Sequence, residues 1–322
     1  MNQHWIPGSP RRPALAPSAG LGWLDSLKAG AGHPPIRGVQ GLARTAKWTA
    51  PHDSIFVKKG PVLKILFIGD IVGSPGRKIV HDRLADILMQ RKIDLCIANG
   101  ENSASGFGIT PRIAEELFAC GVQVITGGNH VWDRKEILDF FPHEPRLIRP
   151  ANFPEGSPGK GYYVGHTKDG AGYAVLDLQG RTFMIALDDP FRAAERELAK
   201  LPSDVKVIVV DMHAEATSEK QAMGWFLAGK VSAVLGTHTH VATADQRVLP
   251  GGTAYITDVG MTGPHDSVIG MEKQGVLQRF LDQMPAKFAV AEGDIQMNTV
   301  QIEVDEASGR ALSIERVVFR LD

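Results

Sequence analysis

Val231-Ser232-Ala233-Val234-Leu235-Gly236-Thr237-His238-Thr239-His240-Val241 is the stretch whose reading decides how this chain folds. The apolar run Val231 to Leu235 predicts a buried strand. Gly236 allows a sharp turn at the strand's end. Two histidines follow at i and i+2. In extended backbone both imidazoles leave on the same side, which is how a rigid edge presents two nitrogen ligands to a metal. The alternative is a loop with two incidental histidines, and the rest of the chain decides between them.

Upstream, the same grammar repeats. Val62 to Ile68 predicts a buried strand that ends at Gly69-Asp70. Ser74-Pro75-Gly76 then opens a helix, with serine as N-cap and proline at its first position. Its apolar positions Ile79, Leu84, Ile87 and Leu88 keep helical spacing. Leu95 to Ala98 is a second strand, ending at Asn99-Gly100-Glu101-Asn102. Thr110-Pro111 caps a second helix that runs to about Cys120. Val122 to Thr126 is a third strand, ending at Gly127-Gly128-Asn129-His130. This alternation predicts a largely parallel sheet with right-handed crossovers. Open α/β sheets place their sites after the strands, and polar clusters follow each strand here.

Further along, Tyr162 to Gly165, Gly172 to Leu178 and Arg181 to Leu187 are strand-like, with Gln179-Gly180 as a hairpin turn. A helix over Phe191 to Lys200 follows. Val205 to Val210 is another buried strand, ending at Asp211-Met212-His213, and Ser218 to Leu227 is a helix. Ala254 to Thr257 is a short strand. Gln296 to Val304 and Leu312 to Phe319 close the chain as an antiparallel pair. The expectation is one domain over 62–322, with two sheets face to face and helices outside.

Composition narrows the function classes. The chain has 322 residues, 43% of them hydrophobic, and a net charge of −1. Balanced charge gives no global pull toward nucleic acid or anionic membrane. No apolar run approaches the roughly 20 residues of a membrane helix. Cys96 and Cys120 lie in apolar contexts and read as buried free thiols, which fits a reducing, cytoplasmic compartment. Residues 1–61 are rich in proline and glycine, with only Asp25 and Asp53 as acids. They read as a disordered extension or tail. Arg11, Arg12, Arg37 and Arg44 leave a transit peptide open, whereas a secretory signal lacks its apolar segment.

Five predicted strand ends carry Asp70, Glu101-Asn102, Asn129-His130, His213 and His238/His240. Each alone has an ordinary structural explanation as a turn, cap or solvated loop residue. Chance does not readily gather them on one edge of a sheet. Carboxylate, amide oxygen and imidazole without thiolate suit iron, manganese or zinc rather than a cysteine-held structural zinc. Even with His130 left aside, the seven other candidate ligands exceed the needs of one ion. Two ions about 3.5–4 Å apart, bridged by a carboxylate, would use them, and such a pair serves phosphoryl chemistry.

Gly69-Asp70, Gly128-Asn129-His130, a lone later His213 and Gly236-Thr237-His238-Thr239-His240 resemble the motifs of the calcineurin-like metallophosphoesterases. Two departures stand out: Asp70-Ile71-Val72 in place of Asp-x-His, and Gly100-Glu101-Asn102 in place of Gly-Asp. Both match one bacterial branch, the YmdB-type 2′,3′-cyclic-nucleotide 2′-phosphodiesterases. So do Ile68-Gly-Asp-Ile-Val-Gly73, Asn99-Gly-Glu-Asn-Ser103, Gly127-Gly-Asn-His-Val-Trp-Asp133 and Arg149-Pro-Ala-Asn152. The resemblance runs from Leu63 to Asp322 and leaves the first 61 residues out.

It implies a four-layer α/β/β/α sandwich with two mixed sheets and a dinuclear site. Asp70, Glu101, Asn102 and His240 would hold one metal. Glu101, Asn129, His213 and His238 would hold the other, with Glu101 bridging. His130 would be the proton donor, and adjacent residues in an extended turn do point apart, as a division between Asn129 and His130 requires. Iron is the ion the family implies, with manganese or zinc open because the first motif lacks its histidine. The implied reaction opens 2′,3′-cyclic nucleotides to 3′-nucleotides by attack of a metal-activated hydroxide. A broad metallophosphatase or phosphodiesterase is the alternative, as is a regulatory nucleotide binder without turnover. The implied partner is a small cyclic nucleotide, with no membrane and no stable nucleic acid complex. A homo-oligomer stays open. Ser103, Ser105 and Thr110 either contact substrate or cap the following helix, and capping is the favoured reading. Trp132 and Asp133 either shape the pocket or pack in the core. Gly260 to His265 either borders the substrate or forms a surface turn.

Overall fold

A computed structural model describes residues 60–321, so the readings of the N-terminal extension fall almost wholly outside the described residues. The strands are β1 (Val62–Ile68), β2 (Leu95–Asn99), β3 (Val124–Thr126), β4 (Tyr162–His166), β5 (Gly172–Gln179) and β6 (Val207–His213). They continue with β7 (Ala233–Thr237), β8 (Arg247–Leu249), β9 (Thr253–Ile256), β10 (Thr262–Pro264), β11 (Ile295–Asp305) and β12 (Ala311–Arg320). The helices are α1 (Gly73–Arg91), α2 (Pro111–Ala119), α3 (Pro190–Leu198), α4 (Thr217–Phe226) and α5 (Lys273–Asp282).

Two six-stranded mixed sheets result. In the first, β1, β2 and β3 are parallel, β11 is antiparallel to β1, and β12 is antiparallel to β11. Short β10 pairs with β11 beyond the end of β1. In the second, β5, β6, β7 and β9 are parallel, and β4 and β8 close the edges antiparallel.

Side-chain alternation divides the interior into three cores, and three cores between elements mean four layers. Ile65, Phe67, Ile97, Val124, Val175, Val209, Leu235 and Val300 face one another between the sheets. Their neighbours Leu66, Ile68, Cys96 and Ile125 point the other way, onto Ile79, Leu84 and Leu117 of α1 and α2. On the second sheet Leu178, Val210, Met212 and Val234 point outward, onto Ala193, Ala194, Met223 and Leu227 of α3 and α4. This is the expected α/β/β/α sandwich. Each fully buried Val, Leu, Ile, Phe or Met side chain among them contributes about 1.5–3 kcal/mol.

Several local expectations are corrected. Arg181 to Leu187 is not a strand, and Gln179-Gly180 is not a hairpin turn. Both edges of β5 are already taken, by β4 and by β6. Instead, the Gly180 amide donates to the His213 carbonyl, and the Arg181 and Thr182 amides donate to the Glu219 carboxylate. Ser74 does not cap α1. The helix begins two residues earlier, at Gly73, with Val72 at the cap position and no side-chain cap, because backbone bonds of Val72 to Thr262 and of Gly73 to Asn102 already fix its entry. Thr110 does cap α2, its hydroxyl accepting from Ile113 N at 3.2 Å. Gly260 to His265 is no surface turn, since its centre is buried β10. Gly236 lies inside β7, where a Cβ would overlap the Thr257 carbonyl. Its service is close approach of two chain segments, not a turn. Cys96 is buried and Cys120 only partly so, and both are free.

Candidate metal centre

The alternation that builds the core between the sheets also builds the site. Inward positions that are apolar along each strand turn polar at its carboxyl end. Leu95 and Ile97 lead to Asn99, Val124 to Thr126, and Tyr173 and Val175 to Asp177 and Gln179. Val207 and Val209 lead to Asp211 and His213, and Ala233 and Leu235 to Thr237. All of these polar residues are buried. They form the floor on which the strand-end loops rest, at the edge where open α/β sheets bind ligands.

The loops are stitched to each other. The Asp70 carbonyl accepts from Thr262 N at 2.8 Å, and Ile71 N donates to the Asn99 carbonyl at 2.9 Å. Ser103 does not cap a helix: its hydroxyl donates to the Gly100 carbonyl at 2.7 Å and closes the Glu101 loop. Ser105 is exposed. Gly128 is required by contact, because a Cβ there would strike the Glu101 carboxylate and the His213 ring. His238 and His240 are not in extended backbone. Both have positive φ, 93° and 63°. Buried Asp258 holds the residue between them. It accepts from the Thr239 hydroxyl at 2.7 Å, from Thr239 N at 3.2 Å and from buried Lys220 Nζ at 2.6 Å.

The fold brings all seven predicted ligands together in two overlapping subsets. His213 Nε2 is 2.8 Å from Glu101 Oε1, 3.1 Å from Asn129 Oδ1 and 3.1 Å from His238 Nδ1. His240 Nε2 is 3.1 Å from the Asn102 side-chain amide and 3.7 Å from Asp70 Oδ1. Glu101 Oε1 also lies 3.3 Å from that amide, so it reaches both subsets. His130 stands apart. Its backbone amide donates to Glu101 Oε2 at 2.9 Å, while its ring Nδ1 meets Asp133 Oδ2 at 2.8 Å. Asp133 therefore orients His130, and Trp132 packs on Phe153 with ring centroids 4.6 Å apart.

Hydrogen bonds fix which imidazole nitrogens face inward. The Thr237 hydroxyl donates to Asp211 Oδ1 at 2.6 Å, so it can only accept from His213 Nδ1 at 2.9 Å. That leaves Nε2 of the neutral ring as a ligand nitrogen. His240 Nδ1 donates to the Ile269 carbonyl at 2.9 Å, again freeing Nε2. His238 turns Nδ1 inward and gives Nε2 to Glu215 at 3.2 Å.

Charge at the site calls for a cation. Burial pushes the Asp70 carboxyl up, and nearby Asp258 and Glu101 add to this against two histidines. Its Oδ1 is buried without a hydrogen-bond partner. Burial also opposes the charge on Glu101, but His213 outweighs it and holds the carboxyl at about 2. Burial would lower His213, yet Glu101, Asp70 and Asp211 raise it to about 9. Burial and the His213 charge lower His238 to about 3. A metal ion would take the place of the His213 proton, and its binding would release that proton. Oxygen and nitrogen donors, an orphaned buried carboxylate oxygen and inward imidazole nitrogens fit a transition-metal cation. Glu101, His213 and His238 offer ligand atoms mutually within 4.8 Å.

The floor carries residues that the sequence reading passed over. Asp211 accepts from Thr126, Thr237 and Asn99, and burial pushes it up to about 6. Asp177 accepts from Gly127 N at 2.8 Å, and burial, with the nearby Asp211 charge, pushes its carboxyl well up. The available signal was one aspartate inside each apolar strand, in Val-Leu-Asp-Leu and Val-Val-Asp-Met.

Two sheets packed face to face between helices, with a cluster of metal-binding donors at the strand ends, define the metallophosphoesterase class of α/β/β/α proteins. Within that class the chain belongs to the YmdB-like family, whose model matches residues 66–317. It is 50% identical to the 2′,3′-cyclic-nucleotide 2′-phosphodiesterase of Bacillus subtilis (strain 168), covering 81% of this chain and 98% of that protein. A crystal structure of a hypothetical protein from Thermus thermophilus superposes with TM-score 0.76 at 42% identity, covering 81% of this chain and all of that one. A structure described as a novel phosphatase from Mycoplasma pneumoniae also gives TM-score 0.76, at 34% identity, covering 81% and 94%.

Proposed function

We propose that this protein is a dinuclear-metal phosphodiesterase that hydrolyses 2′,3′-cyclic nucleotides to 3′-nucleotides. The observation that carries the reading is the pair of donor subsets sharing Glu101 Oε1. The activity named for the Bacillus subtilis relative supports the substrate. Asp70, Glu101, Asn102 and His240 would hold one ion, and Glu101, Asn129, His213 and His238 the other. Iron is the proposed metal, with manganese or zinc able to use the same oxygen and nitrogen donors. When bound, the ions supply an activated water and neutralise charge on the phosphate oxygens.

The remaining chemistry falls to the chain. The bond from phosphorus to the 2′-oxygen breaks as the bond from phosphorus to the water oxygen forms. The departing 2′-oxygen needs a proton, because an alkoxide leaves poorly. His130 supplies it from Nε2. Asp133 on Nδ1 holds the ring in place for that transfer. The Thr237–Asp211 chain keeps His213 Nε2 turned inward. A cytoplasmic site of action goes with this reading, supported by the free thiols of Cys96 and Cys120.

The test is a turnover panel on metal-replete protein with 2′,3′-cyclic AMP, a nitrophenyl phosphodiester and a nitrophenyl monoester. Turnover of the cyclic nucleotide to 3′-AMP alone is the expected product pattern, lost on chelation and restored by metal. Preferred turnover of the monoester would replace this reading with a broad phosphatase, and the Mycoplasma pneumoniae relative is described as a phosphatase. Tight nucleotide binding without turnover would make the protein a sensor.

A further inference from the structure

Arg181-Thr182-Phe183-Met184-Ile185-Ala186-Leu187 has the composition of a buried strand and the position of an exposed loop. Phe183 is 89% exposed and Ile185 55%. Phe183 also has φ 63°, the left-handed region that favours glycine. The ends of the segment are pinned. Gly180 N bonds the His213 carbonyl at 2.9 Å, the Arg181 and Thr182 amides bond Glu219 at 3.1 Å, and Asp188 N bonds the Asn152 carbonyl at 3.2 Å. Arg181 pairs with Asp189 at 2.8 Å. An apolar apex held out into water between fixed ends, with strained backbone at its aromatic, is the kind of feature that persists for binding.

Its surroundings say what it binds. Phe183, Met184 and Ile185 line a cavity of about 390 Å³ whose other walls are Asn129 and His238. Those two belong to the donor cluster around His213 Nε2. In a nucleoside 2′,3′-cyclic phosphate the base is one sugar ring away from the phosphorus. A phosphate at Asn129 and His238 therefore has its base within reach of the Phe183 lip. Phe107, the other exposed aromatic at the site, is already engaged edge-to-face with His130 at 5.1 Å. Beyond the donor pair, the cavity lining has no side chain that hydrogen-bonds a base edge.

We infer that the Phe183 lip is the base platform of this site, holding the nucleobase by stacking and apolar contact and without reading its identity. The inference rests on the cyclic-nucleotide reading above. Stacking on an aromatic face is tolerant of sequence because every base has a π-face.

The experiment uses the full chain loaded with metal and two substrates: 2′,3′-cyclic AMP, and the same cyclic phosphate on methyl riboside, which lacks a base. Phe183→Ala is expected to raise KM for cyclic AMP by about 5- to 150-fold, the ratio for one base stacked on an aromatic ring. kcat and the baseless substrate should change little, and Phe183→Tyr should restore the KM. The Kd of the product 3′-AMP, read by calorimetry, should weaken in parallel. Wild-type KM values for the four cyclic nucleotides should lie within about tenfold, purines lowest. An unchanged KM for cyclic AMP in Phe183→Ala overturns the platform, as does an equal rise for the baseless substrate. An unchanged KM with an altered sedimentation coefficient would also overturn it and make the lip a contact between copies. Absence of cyclic AMP turnover by the wild type would remove the functional reading, and the platform with it.

Discussion

Glu101 Oε1 lies between His213 Nε2 and the Asn102 amide, at 2.8 and 3.3 Å. One carboxylate thus touches both donor subsets. Glu101→Ala is expected to lower occupancy at both proposed ions, read by elemental analysis of protein purified without chelator. Retention of one full equivalent would rule Glu101 out as the bridge. His130 makes the opposite prediction. Its ring Nδ1 is held by Asp133, and it meets Glu101 through its backbone amide, so His130→Ala should keep metal content and thermal midpoint. Turnover of a cyclic nucleotide should drop by about 10²–10⁴-fold, the usual worth of a general acid. A nitrophenyl diester, whose leaving group needs little protonation, should suffer much less. Equal losses on the two substrates would contradict the acid role. His213 provides a signature in protein stripped of metal. Its pKa rises from 6.5 unfolded to about 9 folded. The folded state therefore holds a proton more tightly, and that stability is complete below pH 6.5 and lost as pH rises through 9. The thermal midpoint of chelator-treated protein should fall over that window, and His213→Asn should flatten the fall. A slope unaffected by His213→Asn would assign it to other groups.

The turn after β7 is an element held by its neighbours. Positive φ at His238 and His240 is unfavourable for residues with a β-carbon. The turn persists because Asp258 takes the Thr239 amide and hydroxyl, and Lys220 of α4 neutralises Asp258. Both charges are buried. Removing one partner leaves the other uncompensated, at a cost of about 3–5 kcal/mol. Lys220→Met should lower unfolding free energy in urea by that amount and reduce metal retention through the loosened histidines. Asp258 also accepts from Gly260 N at 2.8 Å, and a loss under about 1 kcal/mol would show that the Thr239 and Gly260 donors satisfy Asp258 without the lysine. Two short elements, β8 and β10, and helix α5 have no counterpart in the sequence reading. A three-residue strand has too few positions to show a period of two. The buried place of β10 comes from pairing with β11, about thirty residues later.

For the whole molecule, the three cores and the donor cluster all lie within residues 62–321. We propose that residues 62–322 are the catalytic domain and the segment before them an extension. A chain beginning at Gly60 should remain folded and keep its turnover within about twofold. Insoluble or inactive protein would show that the extension packs on the domain.

The sequence by itself determined the layers and which polar residues would gather at one sheet edge. Apolar strands alternating with amphipathic helices leave one way to bury both faces of two sheets. Polar residues right after strand ends all fall on one edge because parallel strands share a direction. Asp70, Glu101, Asn102, Asn129, His213, His238 and His240 were legible for that reason. Tertiary structure alone decided what holds them. The positive φ of the two histidines, the overlap at Gly236 and the partners Asp133, Asp211, Lys220 and Asp258 depend on contacts that only the folded chain makes. The fate of Arg181 to Leu187 was decided the same way. Its residues favour a strand, but β4 and β6 already occupy both edges of β5. A strand without a free neighbouring edge has no partner for its backbone, so the segment became the lip of the site.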